Sequence, residues 1–230
     1  KLARLSKLFP GLVLDIDSPG GTVTDSEYIY HVLSRFGSDK PIVSNVRGLG
    51  ASGAYLIACA GRTIVASPGA IVGSIGVISI RPMVEELLKK AGIDVNVTKT
   101  GLYKDMGAYW RPTTKEEEIK LQSFVDESYK RFLGVVINAR GMSKAEVENL
   151  ANGEVFWGAV ALENGLVDKL GTLDTAIDLA SDLAKCKRRV VTLGPKKSLM
   201  QKITGSLSSS LVDSTVNELE TRIWSDYVRY

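Results

Sequence analysis

At 230 residues the chain can bury the core of one sizeable α/β domain, alone or with an assembly segment. Its 44% hydrophobic and 24% charged residues, with 22 glycines, describe a folded globular protein and exclude a disordered or fibrous one. A formal charge of +3, from 29 basic and 26 acidic residues, is too balanced to provide a nucleic-acid-binding field, so no nucleic-acid partner is expected.

The sequence opens abruptly, with few residues before its first strand. The expectation is a truncated N-terminus, with room upstream for a membrane anchor or targeting segment. Gly11–Ile16 (GLVLDI) is an apolar run ending in SPGG and reads as a buried strand feeding a tight turn. A helix capped by Asp25 or Ser26 follows, with Tyr28, Ile29, Val32, Leu33 and Phe36 at helical spacing before a stop at Gly37. Pro41–Val46 is a second strand, after which Gly48–Gly50 are expected to turn the chain into a small-residue helix, Ala51–Ala60, closed by Gly61. Thr63–Ala66 and Ile71–Ile80 read as strands, Met83–Ala91 as a helix and Asp94–Thr98 as an alternating strand. The sparsely charged stretch Thr63–Ile80 is about long enough to span a bilayer. Pro68 and its glycines mark it instead as buried strands and turns. Strands alternating with helices give an α/β fold with a mainly parallel sheet.

From Thr114 the pattern becomes helical. Thr114–Arg140 is a long amphipathic helix opened by a capping-box-like Thr and an acidic first turn. Ser143–Asn152, Ala159–Asn164 and Thr172–Lys185 are further helices before a Val190–Leu193 strand. One domain is expected over residues 1–195, a Ser- and Lys-rich linker over 196–210, and a C-terminal amphipathic helix over 211–230, marked by Val212, Val216, Leu219, Ile223 and Tyr227.

The candidate chemistry starts from scarcity. The chain has a single histidine, His31, lying mid-helix, where a partly buried helical histidine is the expected reading rather than a member of a Ser-His-Asp triad. Cys59 and Cys186 lack CxxC spacing, so neither a zinc site nor a disulfide follows from them, and no metal or cofactor is expected. Ser52, in GLGASGA, follows a glycine-rich turn at the start of a helix, where free N–H groups and the helix dipole could stabilise an oxyanion. An N-cap serine in a tightly packed helix explains the same residue. Ser18-Pro19-Gly20-Gly21 could aim backbone N–H groups outward, or be a plain β-turn. Without histidine, a serine can be activated by a lysine whose pKa is lowered by burial. Lys104, in the Gly-, Tyr-, Met- and Trp-containing stretch TKTGLYKDMGAYW, is the candidate, although a surface lysine is the ordinary reading.

Taken together and in order, SPGG at Ser18–Gly21, ASGAY at Ala51–Tyr55, VGSIGVI at Val72–Ile78, TGLYKD at Thr100–Asp105, then GEVFWG and GLVDKLG, the chain resembles the signal peptide peptidase A family, within the Clp protease and crotonase fold group. The likeness runs from Gly11 to about Ala184. It implies a crotonase-type β-α superhelix and a Ser-Lys dyad, with Ser52 as nucleophile, Lys104 as base 52 residues later, and Ser74 holding the lysine amine. It further implies an oxyanion hole at the Gly21 and Gly53 amides, with Gly20 shaping the turn. Extended peptide would bind along Gly20, Thr22, Val23, Ile75 and Gly76. Cleaved signal peptides are the implied substrates, and a homo-oligomer, expected as an octamer in which the lysine can come from a neighbour, is the implied assembly. Membrane association with an extracytoplasmic catalytic domain is implied too. Two departures stand out: Ala54 replaces a common second glycine, and the usual first strands are missing. The rival readings are a crotonase-type acyl-CoA enzyme, which needs neither Ser52 nor Lys104, a stomatin-partnered membrane protease with shorter Ser-to-Lys spacing, and an inactive scaffold.

Overall fold

The computed structural model describes residues 8–193, and its elements follow one another as β1 (Leu12–Ser18), α1 (Val23–Gly37), β2 (Ile42–Ala51), α2 (Gly53–Ala58), β3 (Thr63–Ala66), β4 (Ile71–Gly73), α3 (Glu85–Lys90), α4 (Lys115–Arg140), α5 (Lys144–Leu150), β5 (Val155–Trp157), α6 (Gly158–Glu163), β6 (Lys169–Leu170) and α7 (Leu173–Leu183). The described residues as far as Arg188 form one compact unit, which holds all of these elements. The expected linker at 196–210 and helix at 211–230 lie outside the described residues.

The sheet runs β5-β4-β2-β3-β6, with β1 on the free side of β2, and all pairings but β4–β5 are parallel. It is a mixed α/β fold with a curled, mostly parallel sheet. The hub is β2, whose Val43–Val46 pair with β3 while Leu49–Ala51 pair with β4. A central parallel strand covered on both faces must be apolar almost throughout, and Ile42, Val43 and Val46 are fully buried accordingly. Its one buried hydroxyl, Ser44 Oγ, donates to Ala58 O at 2.8 Å and so ties the strand to the end of α2. The main core joins Val46, Tyr55, Leu56, Ile64, Val72 and Ile75 to Phe132, Leu133 and Val136 of α4. Each fully buried Ile, Leu, Val or Phe there contributes about 1.5–3 kcal/mol.

Several sequence expectations need correction. Gly48–Gly50 do not turn the chain, because β2 continues through them to Ala51. Their missing side chains serve close packing: a methyl on Gly50 would sit 2.7 Å from Val46 Cγ1. The helix after them is shorter than Ala51–Ala60 because Ser52 alone makes the turn. The cap of α1 is Thr22, whose hydroxyl accepts the Asp25 N–H at 3.2 Å, rather than Asp25 or Ser26.

Ile71–Ile80 is a strand only to Gly73, because Gly73 and Ser74 adopt φ of 107° and 50°, which β backbone cannot. Helix α3 keeps only the middle of Met83–Ala91. Asp94–Thr98 is exposed and pairs with no described strand, so alternation alone did not make it one, and Val190–Leu193 forms no strand either. The long helix is as expected: Thr114 and Glu117 form a full capping box, and Gly141 closes it at φ 63°. Among the described residues, no helix is long and apolar enough to cross a membrane.

Candidate active site

Ser52 occupies the single-residue turn between β2 and α2, with φ 53° and ψ −124°. Left-handed backbone at a serine costs about 1–3 kcal/mol and persists only where its surroundings impose it. They do so here. The Ser52 N–H donates to Gly73 O at 2.8 Å, and Ser52 O accepts the Tyr55 and Leu56 amides at 2.9 and 3.0 Å. Tyr55, fully buried, donates its hydroxyl to Leu166 O at 2.7 Å, which pins α2 from behind. Burial pushes the pKa of that tyrosine well up and that of Cys59, at the end of the same helix, up to about 12. The Ser52 hydroxyl makes no capping hydrogen bond, which removes the capping reading. It stands at the tip of a sharp strand-to-helix turn, partly accessible, in the manner of a nucleophile elbow.

The SPGG turn is pressed onto this point. Gly20 has φ 108°, and a methyl on it would lie 2.8 Å from Gly53 N and 3.1 Å from Ser52 Cβ. A methyl on Gly53 would lie 3.3 Å from Gly21 N and 2.2 Å from Oγ of the buried Ser26 on α1. Three chain segments therefore meet with room for backbone only. The Gly53 N–H is one of the first-turn amides that no helical carbonyl can accept. The space in front of Gly21 is open, with nothing within 4 Å of a methyl built there. Two amides beside a serine hydroxyl, at a helix N-terminus, can receive a developing oxyanion.

The Ser74 backbone lies beside that of Ser52, because Ala51 pairs with Gly73 and the two serines are the next residues after β2 and β4. Its φ of 50° is held by an N–H bond to Glu154 O at 2.7 Å. Thr22 and Val23 open α1 beside Gly21, with the Thr22 hydroxyl committed to Asp25. The Ile75 side chain is fully buried in the main core, so only its main chain remains for a peptide. Gly76 backs onto Gly153, 3.5 Å from a methyl built there.

Lys104 is different. It is exposed, in an irregular segment, and makes no hydrogen bond with Ser52 or Ser74 among the described residues. The apolar burial expected around it is not supplied by the described residues. Its loop is nonetheless anchored. Arg111 donates to Asp105 through Nε and Nη2, both at 2.9 Å, and to Glu117 through Nη1 at 2.9 Å and Nη2 at 2.6 Å. Lys99 adds a 2.5 Å contact to Asp105, and Lys120 lies 4.7 Å above the Tyr103 ring. The Arg111 and Lys99 bonds hold the Asp105 carboxyl well below the usual range. Arg111 and the Thr114 amide bring Glu117 down to about 2.

His31 is exposed on α1, edge-on to Tyr30, rather than partly buried. Among the described residues, no three His, Cys, Asp or Glu cluster as a metal site would require. Sequence reasoning missed Ser26, Asp17 and the Arg111 clamp. A carboxylate inside the apolar run LVLDIDS, and one arginine between two acidic residues each six positions away, were the available signals.

Comparison with known proteins follows the same segments. The sequence pattern of peptidase family S49 matches residues 34–187, a span that contains Ser52, Ser74 and Lys104. The slr0021 protein of Synechocystis sp. is 39% identical over 202 residues, covering 86% of this chain and 73% of that protein. Protease 4 of Salmonella typhi is 35% identical over 81% of this chain, and the chloroplastic serine protease SPPA of Arabidopsis thaliana is 31% identical over 94%. The chain spans only 30% and 33% of the length of those last two. With a matching pattern over more than half its length and a relative of this identity and coverage, the chain belongs to peptidase family S49.

Proposed function

We propose that the chain is a serine endopeptidase in which Ser52 is the nucleophile, Lys104 the general base, Ser74 the hydroxyl that holds the lysine amine, and Gly21 and Gly53 the oxyanion donors. Neutral Lys104 takes the Ser52 proton as Oγ attacks the scissile carbonyl, and the oxyanion rests on the two amides. The lysine ammonium then gives its proton to the departing amine, leaving an ester on Ser52. Water, deprotonated by the same lysine, releases the acid. The observation that carries this reading is the Ser52 turn, a left-handed serine at a helix N-terminus with Gly20 packed against it.

The base is supplied between protomers. Lys104 lies at the end of a segment whose Ile78, Ile80, Leu87 and Leu102 are all more than 60% exposed, and a second copy of the chain would bury them. This gives a homo-oligomer, with an octameric ring as the assembly that the family resemblance favours, on a crotonase- and Clp-like superhelix. Extended peptides with small apolar side chains would pair along Gly20, Thr22 and Val23 on one side and the Ile75 and Gly76 main chain on the other. Hydrophobic remnants of cleaved signal peptides fit that description, and imply a protein working at the membrane with its catalytic domain on the extracytoplasmic side.

The test is complementation. Ser52→Ala and Lys104→Ala should each abolish cleavage of a fluorogenic apolar peptide, and co-assembly of the two inactive proteins should restore it. Cleavage surviving either single substitution overturns the dyad. Two inactive variants that stay inactive when co-assembled overturn the shared site.

A further inference from the structure

A carboxylate outside the reacting groups, Asp17, is built into the backbone where β2 bends. Strands β1 and β2 pair in register from Leu12↔Ile42 to Ile16↔Val46 and then slip, so that Ser18 pairs with Gly50. Across this slip β2 carries Arg47, Gly48 and Leu49 where β1 has Asp17 alone. At the same place β2 exchanges its other neighbour, leaving β3 at Val46↔Ala66 and taking up β4 at Leu49↔Ile71. A bulge of this kind strips amides of their ladder partners and bends the strand.

Asp17 fills the gap. Its Oδ1 accepts the Leu49 N–H at 3.0 Å, and its Oδ2 meets Arg47 Nη2 at 3.2 Å. A methyl on Gly48 would lie 2.9 Å from Asp17 Oδ1, so any side chain at residue 48 would push this carboxylate from its present place. Arg47 also faces Asp15 Oδ2 at 3.5 Å, and Asn45 Nδ2 donates to Asp15 Oδ1 at 2.8 Å. The Asp17 and Arg47 side chains are 45% and 62% exposed, so their charge attraction is largely screened and the bond to the Leu49 amide is what matters. One residue on from Asp17 starts the SPGG turn, in which Gly20 N donates to Ser18 Oγ at 3.2 Å. Three residues on from Leu49 stands Ser52. The slip therefore sets how far the Gly21 amide reaches relative to the Gly53 amide.

We infer that Asp17 is a positioning residue for the oxyanion-binding turn, acting by holding the Leu49 amide at the bulge. The inference rests on the Ser52 reading above, and two readouts separate them. In the full chain, Asp17→Leu should lower kcat on the fluorogenic peptide about 10²-fold, with KM within about threefold and the pH profile unmoved, because the loss falls on an interaction made in the transition state. Asp17→Asn keeps an acceptor oxygen and should stay within about fivefold of wild type, on the same reasoning. Gly48→Ala, which crowds the carboxylate without removing it, should resemble Asp17→Leu and covers the case in which that variant does not fold. Hydrogen exchange, which needs no activity, should show faster exchange across residues 18–22 and 49–53 in Asp17→Leu and Gly48→Ala alone. Wild-type exchange in those segments in whichever of these two variants folds overturns the inference, as does equal loss of kcat in Asp17→Asn and Asp17→Leu. A wild-type protein that cleaves nothing overturns the protease reading, and the exchange comparison still judges Asp17.

Discussion

Residues 42–75 and residues 76–104 carry the two halves of the proposed dyad and are built on different terms. In the first, Val43, Val46, Tyr55, Ile64, Val72 and Ile75 are all fully buried, and the strained serine is fixed by backbone bonds on both sides. In the second, a single short helix interrupts irregular chain, and Ile78, Ile80, Leu87, Ile93 and Leu102 face outward. Ser52 and the amides proposed to bind the anion are thus organised within the protomer, because burial of several core side chains at about 1.5–3 kcal/mol each outweighs a strain of about 1–3 kcal/mol. The proposed base sits on an exposed loop held at its root by Arg111 and Lys99 on Asp105 and by Lys120 against Tyr103. On this contrast, substitutions at Ser52's neighbours should act inside one protomer, and those at the arm should act on assembly.

Short of removing Ser52 or Lys104 themselves, the largest expected effect comes from Gly53→Ala. Its methyl would meet Ser26 Oγ at 2.2 Å and Gly21 N at 3.3 Å, so the two amides proposed to bind the oxyanion must part. Loss of about 10²–10³-fold in kcat is expected, the size seen when an oxyanion donor is removed. Ser26→Gly in the same protein removes the nearer obstacle and should recover part of the loss. Failure of any recovery would mean that Ser26 does not gauge the gap.

Arg111→Leu tests the other half and should cost less. It leaves Asp105 and Glu117 without their shared cation, with Glu117 only 2% exposed. The loop bearing Lys104 would loosen at its root, and activity should fall by up to about 10²-fold through misplacement of the base. The acid behaviour of stability has a defined sign. Both carboxyls are held below their ordinary value of about 4, so the clamp contributes fully above that pH. Its contribution is lost as pH falls toward about 2, the Glu117 value. Urea midpoints of wild type and variant should therefore differ most near neutrality and converge between about pH 4 and pH 2. Parallel curves over that range would remove the clamp from the account.

Much of the buried half was legible in the sequence, because its signals are local. SPGG, GASG and the apolar run of β2 each announce a strand end, a tight turn or a buried strand. The glycines at 48 and 50 were misread, since a glycine needed for close packing looks in sequence like a glycine needed for a turn. The paired residues that position the site were not legible: Asp17 meets Leu49 across a bulge 32 residues away, and Ser26 meets Gly53 from another helix. In the arm, DVNVT alternates like a strand but has no described neighbour to pair with, and the described residues do not supply the burial foreseen for Lys104.

The smallest effect sharpens the comparison from within α2. Cys59 ends this helix, 5% exposed, and burial raises its thiol to about 12, so the reactive thiolate is scarce at neutral pH. Cys186 is exposed. A small alkylating reagent on the native protein should modify Cys186 alone, leave peptide cleavage unchanged and reach Cys59 only in denaturant, as intact mass would record. Modification of Cys59 at a comparable rate in the folded protein would mean that α2 opens readily. A helix that opens readily could not hold Ser52 in its left-handed turn, because the Tyr55 and Leu56 amides that fix the Ser52 carbonyl belong to the same two turns.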